Sequence, residues 1–140
     1  MRFFDPEKQA ALSMRAALEA DLRLALGRHE FLLHYQPQLD GDARMTGVEA
    51  LLRWRHPRQG MVSPADFIAL AEDTGLILPI GLWVLETSCV QLAAWAGRAD
   101  TAHLTMAVNV SVRQFRHPDF VAQVSAVLAH SGADPRRLKL

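Results

Sequence analysis

The stretch Thr46-Gly47-Val48-Glu49-Ala50-Leu51-Leu52-Arg53-Trp54-Arg55 decides the fold. At the two-residue period of a strand it sorts into two faces. Val48, Ala50, Leu52 and Trp54 point one way and are expected to meet helices. Gly47, Glu49, Leu51, Arg53 and Arg55 point the other way. Helices cover the outside of a parallel barrel or both faces of an open sheet, so a charged Glu49 and Arg53 facing inward need a reason. One reason is a buried Glu–Arg pair. Strand rise separates their bases by roughly 13 Å, too far for easy direct pairing. The other reason is chemical: a metal-binding carboxylate low in a site, with a guanidinium above it for a phosphate.

Upstream, Phe31 to Leu39 reads as a second strand, closed by the polar turn Asp40-Gly41-Asp42. The two strands form an expected antiparallel pair. Pro37 fits only at an edge or strand end, where its missing N–H is not needed. A helix precedes them: Asp5 caps it, Pro6 suits its first position, and Glu7 favours its positive end. Ala11, Met14, Leu18, Leu22 and Ala25 recur on one helical face, and Gly27 is the expected stop. This helix is either a linker or an element docked on its own domain.

Downstream, Ser63-Pro64-Ala65-Asp66 opens another helix, with Ser63 as cap and Asp66 in the reciprocal capping-box place. Phe67, Ile68, Leu70 and Ala71 give its apolar face, and Gly75 ends it. A longer helix is expected from Pro79 to Ala96, closed by Gly97, with Ile80, Trp83, Val84, Val90 and Trp95 among its apolar members. Thr105 to Ser111 reads as a third strand, Pro118 to His130 as a helix, and Arg137 to Leu140 as the opening of a fourth strand. This alternation predicts an α/β fold with a growing parallel sheet.

Length and composition bound the function. The chain has 140 residues, half of them hydrophobic and 21% charged, enough apolar content for a packed core. Fifteen basic and fifteen acidic side chains cancel, so no basic surface points to a nucleic acid polymer or anionic lipid. A single cysteine, Cys89, excludes an internal disulfide and suits a reducing, cytoplasmic setting. The apolar run Leu76 to Val84 is interrupted by Pro79 and Gly81 and is too short to span a bilayer, so no membrane segment is expected. The first residues lack the pattern of a signal peptide.

On the third strand, Met106, Val108 and Val110 face one side, and Thr105, Ala107, Asn109 and Ser111 the other. Asn109 thus sits at the carboxyl end of a central strand, where parallel barrels gather their active sites. It supplies a hard carbonyl oxygen suited to Mg²⁺ or Ca²⁺ beside a carboxylate, although such residues also serve turns. Gln36 is either a turn residue or a donor to a base or phosphate. Glu72 reads as a solvated or capping-region carboxylate. The six histidines lack ligand spacing and read as structural, Cys89 as inert core, and Trp54, Trp83 and Trp95 as packing residues.

These segments form an ordered set: Tyr35-Gln36-Pro37; Gly47 to Trp54; Phe67-Ile68-Ala69-Leu70-Ala71-Glu72-Asp73-Thr74-Gly75-Leu76-Ile77; and Asn109-Val110-Ser111 with Gln114-Phe115. Together they closely resemble the EAL-domain family, bacterial phosphodiesterases that open cyclic di-GMP to linear pGpG. The resemblance covers about Leu22 to Leu140. The preceding helix, with Arg2-Phe3-Phe4-Asp5-Pro6, resembles the connector that follows a GGDEF (diguanylate cyclase-like) domain in tandem proteins. Residues 1–28 are accordingly expected to be a connector helix and 29–140 a partial EAL domain. The family implies the N-terminal half of a TIM-like (β/α)₈ barrel with an antiparallel first strand. It implies Glu49 and Asn109 as ligands of catalytic Mg²⁺ or Mn²⁺. It also implies Gln36 and Arg53 as contacts to the dinucleotide, Arg53 at a phosphate, and Leu52 as a substrate-lining or backbone contact.

A full barrel takes roughly 250 residues, and this chain supplies barely half. The family's next metal-binding glutamate follows the strand that begins Leu138-Lys139-Leu140. Its paired-aspartate loop, its lysine near the nucleophilic water and its late glutamate come later still. Three expectations follow. The chain is part of an active phosphodiesterase, or a regulatory remnant that completes a barrel with another chain, or a cyclic di-GMP binding module without turnover. The chain alone is expected to be inactive. Its open edges and apolar interior predict a homo-oligomer.

Overall fold

The computed structural model describes residues 5–140; Arg2, Phe3 and Phe4 of the connector resemblance lie outside the described residues. Helix α1 (Pro6–Ala25) leads into the hairpin β1 (Phe31–Leu39) and β2 (Met45–His56), and a short β3 (Gly60–Val62) folds back on β2. Helices α2 (Pro64–Thr74) and α3 (Ile77–Ala96) carry the chain to β4 (Thr105–Val108). After β4 come a one-turn helix α4 (Val112–Phe115), then α5 (Phe120–Ser131), a 3₁₀ turn (Pro135–Arg137) and β5 (Leu138–Lys139).

The sheet order is β1-β2-β4-β5, with β3 paired to β2. β1 and β2 are antiparallel, while β4 and β5 run parallel to β2 and β4. The expected α/β fold with an antiparallel first strand is therefore present, and it forms one arc of a barrel wall. β1 lies at the sheet edge, which accommodates Pro37 opposite Val48.

The core lies on the face of the sheet covered by helices. Val48, Ala50 and Trp54 of β2 are buried there, as the alternation predicts. Trp54 and Phe67 are fully buried and cross nearly at right angles, with ring centroids 5.6 Å apart. Phe31 joins both. A second cluster gathers Val48, Ala50, Met106 and Val108 of the sheet against Val84, Leu85, Cys89 and Leu92 of α3. Leu52 and Trp83 touch both clusters and join them.

Asp5 caps α1 as expected, its carboxylate accepting from the N–H groups of Glu7 and Lys8 at 3.0 and 3.2 Å. Only the last turns of α1 dock: Leu22 and Ala25 are buried, whereas Met14 is 73% exposed. His56, fully buried, fastens this end. Its Nδ1 accepts from the backbone N–H groups of Arg58 and Gln59, so the ring proton sits on Nε2, which donates to Asp21 at 2.7 Å. Trp54 Nε1 adds a bond to Glu30 at 3.0 Å.

Several boundaries differ from expectation for local reasons. The Ser63–Asp66 capping box does not form; the Ser63 side chain makes no cap bond, and only its carbonyl accepts from Asp66 N–H. The positive φ after α1 falls at His29, not Gly27. α3 starts at Ile77 and runs through Pro79 and Gly81, because Pro79 occupies the first turn, where backbone N–H groups have no helical partner. At 20 residues α3 is long and apolar enough to cross a membrane by length and composition, contrary to the interrupted run expected there, and in this fold it is the core helix. β4 ends at Val108, so Ser111 leaves the strand and caps α4.

Candidate functional site

The strand register sets out the site. Gln36 of β1 lies opposite Glu49 of β2, and Glu49 lies opposite Ala107 of β4, which in turn faces Lys139 of β5. Asn109 follows two positions after Ala107, just past the end of β4. Gln36 and Glu49 thus share a face that no helix among the described residues covers, and Asn109 lies beside it at the end of β4. Close approach of β2 to β4 supports the arrangement. A Cβ on Gly47 would lie 2.8 Å from the carbonyl oxygen of Thr105 and nearer still to its hydroxyl.

Arg53 stands four residues beyond Glu49, half-buried. Among the described residues it forms no ion pair with Glu49; its guanidinium donates to the carbonyl of Leu52 at 2.9 Å. The buried-pair alternative is thereby removed. Glu49 is half-buried and, among the described residues, takes part in no ion pair.

Above the end of β4 a cavity of about 260 Å³ opens between the sheet and helices α2, α3 and α4. Leu52, Arg53, Asn109, Glu72, Ser111 and Gln114 are among its lining, with Ile68, Ile77, Ile80 and Val84 as its apolar wall. The structure therefore brings Arg53, Leu52 and Asn109 to one cavity, and places Glu49 and Gln36 on the adjoining open face. Glu72 is exposed at the rim, and its carbonyl accepts from Arg113. No group of three His, Cys, Asp or Glu side chains suited to a metal occurs among the described residues. Glu49 and Asn109 nevertheless fit part of a hard-cation site, since Mg²⁺ commonly keeps several waters and takes only one or two carboxylates from protein.

The remaining reactive groups lie elsewhere. Cys89 is buried in α3, and burial pushes its thiol pKa up, consistent with inert core. Tyr35 is likewise raised by burial and packs edge-on against Trp95. Sequence reading missed the part played by α4. Ser111 and Gln114 form a complete capping box: Ser111 Oγ accepts from Gln114 N–H, and Gln114 Oε1 accepts from Ser111 N–H, both at 3.1 Å. The signal was present in the spacing, because Ser-x-x-Gln is the capping-box pattern.

Known proteins are similar to this chain in sequence and fold. The EAL domain family model matches residues 19–140. A Pseudomonas aeruginosa protein named bifunctional diguanylate cyclase/cyclic di-GMP phosphodiesterase MucR is 43% identical over 141 residues, covering 99% of this chain and 20% of its own length. The Escherichia coli cyclic di-GMP phosphodiesterase PdeR is 35% identical, covering 89% of this chain and 19% of its own. The solved MucR phosphodiesterase in complex with c-di-GMP superposes with a TM-score of 0.83 at 45% identity, covering 87% of this chain and 49% of that one. The chain thus spans about a fifth of these curated relatives and about half of the solved domain. A sheet with one antiparallel first strand and a family match over most of its length agree on one conclusion: the chain belongs to the EAL domain family.

Proposed function

We propose that this chain is the N-terminal half of a phosphodiesterase domain that hydrolyses cyclic di-GMP to linear pGpG. The observation that supports it most is the register, which pairs Gln36 with Glu49 next to the end of β4, where Asn109 and Arg53 line one cavity. In this reading Glu49 and Asn109 are ligands of Mg²⁺ or Mn²⁺. A divalent ion held by Glu49 and Asn109 would lower the pKa of water at neutral pH and would offset charge at phosphorus. Arg53 holds a phosphate with its forked, permanently charged guanidinium, Gln36 donates to the dinucleotide, and Leu52 lines its apolar side. Water oxygen bonds to phosphorus, the bond from phosphorus to one ribose 3′ oxygen breaks, and that oxygen leaves as a hydroxyl.

Residues 1–28 act as the connector and 29–140 as the partial domain, with a GGDEF domain in the same parent protein and a second copy as partners. The one cysteine, buried at position 89, suits the reducing cytoplasm where we place the domain. The test is hydrolysis by the complete domain with Mg²⁺ or Mn²⁺, read as pGpG formed. Glu49→Gln is expected to abolish turnover, and residues 1–140 alone to show none. Turnover unaffected by Glu49→Gln overturns the ligand assignment. Tight cyclic di-GMP binding by a complete domain without pGpG selects the non-hydrolysing module instead.

A further inference from the structure

We propose that Gln114, seated on Gly81, is a positioning residue that holds Asn109 in ligand geometry; this rests on the metal role of Asn109 proposed above. Asn109 lies between the end of β4 at Val108 and the Ser111 cap, in a link with no strand or helix of its own. Helix α4 is a single turn, too short to hold itself. Its order must come from what it touches.

Gln114 supplies that anchor twice over. Its Oε1 and backbone N–H close both arms of the capping box with Ser111, two residues from Asn109. The side chain is buried although polar. It lies across Gly81 of the core helix α3. A Cβ on Gly81 would fall 2.6 Å from Gln114 Oε1 and nearer still to the rest of the carboxamide. Any larger residue at 81 requires the carboxamide that bonds Ser111 to shift. A second tie runs from the neighbouring Arg113 to the Glu72 carbonyl, beside the left-handed Gly75 that ends α2. α4 is therefore fastened to α3 by Gln114 and to α2 by Arg113, and the Asn109 link inherits their rigidity. Outer residues that orient a metal ligand typically contribute 10- to 100-fold in metal affinity.

The test measures Mn²⁺ affinity of the complete domain, without nucleotide, by electron paramagnetic resonance of free Mn²⁺. Gln114→Met keeps the volume and removes the acceptor; about tenfold or greater weakening is expected. Gln114→Glu keeps the acceptor in the commoner capping-box form and is expected to restore affinity to within about threefold of wild type. Gly81→Ala is expected to weaken Mn²⁺ binding as Gln114→Met does. Wild-type affinity in Gln114→Met, or failure of Gln114→Glu to restore it, overturns the positioning role. If Gln114→Met does not fold, Gln114→Asn, which pulls the carboxamide back from Ser111, decides by the same criterion. Glu49→Gln separates the two claims. If it abolishes Mn²⁺ binding while Gln114→Met does not, only the positioning role fails. If wild type binds no Mn²⁺, or Glu49→Gln binds normally, the metal assignment fails and takes this proposal with it.

Discussion

At the scale of single residues, charges here are placed by what the backbone offers them. Asp21 is the clearest case. Its carboxylate accepts from His56, which two backbone N–H groups hold with the proton on Nε2, and this bond lowers the Asp21 pKa from 3.8. A carboxylate with a depressed folded pKa contributes stability above its unfolded value and loses it as pH falls through the folded one. Acid unfolding is therefore expected to steepen below about pH 4 in wild type. Asp21→Asn is expected to be less stable at pH 7 and to converge on wild type in acid; parallel curves from pH 7 to pH 2 contradict the linkage. Among the described residues Arg53 has no acidic partner and donates to the Leu52 carbonyl, so its charge is available to a ligand. Removing a charge-assisted bond costs about 1.5–3 kcal/mol. Arg53→Ala in the complete domain is thus expected to weaken cyclic di-GMP binding about tenfold or more by calorimetry. Arg53→Lys is expected to recover only part, since an ammonium lacks the planar fork. Equal affinity of all three proteins removes Arg53 from the phosphate.

At the scale of elements, close packing sets the limits. β2 and β4 meet at Gly47 so tightly that a methyl group collides with the Thr105 carbonyl, which is backbone and cannot rotate away. Gly47→Ala is expected to cost about 1–3 kcal/mol, read as a lower urea midpoint at unchanged slope, because the strands must part. An unshifted midpoint would mean that the sheet yields there freely. The same elements show what the sequence makes legible. Alternation along Val48 to Trp54 exposes both faces of β2, and with them Glu49 and Arg53, because a strand's period is local. The Asp5 cap and the Gly75 stop are legible for the same reason. Pro79 misleads, since its cost depends on its position within a helix whose start is set by tertiary contact. β3 and α4 escape notice because three or four residues carry no period. Their order comes from partners outside themselves, Trp54 on the adjacent β2 and the distant Gly81. The Gln114 seat on Gly81 needs the fold to bring positions 33 residues apart into contact.

At the scale of the whole molecule, the described residues form one arc of a barrel wall with helices on its outer side. Barrels abolish sheet edges by closure, and an arc keeps two. The β1 edge is blunted by Pro37, which has no N–H to offer, and β5 is two residues long. Strand-to-strand addition is therefore a poor route to association. The uncovered face is the better one: Leu51 lies half-buried there, and Leu39, Met45 and Leu140 are exposed near the sheet's margins. Two arcs placed face to face would remove that apolar surface from water at about 25 cal/mol per Å². Residues 1–140 as an isolated polypeptide are expected to form a dimer or larger species at micromolar concentration, measured by light scattering after size exclusion. Leu51→Lys puts an ammonium on that face, whose desolvation is required only in the associated state. It is expected to shift the population toward monomer. A wild-type monomer at tens of micromolar would show that the uncovered face tolerates water. Association untouched by Leu51→Lys would move the contact to the outer helices, where Val90 and Val121 are exposed.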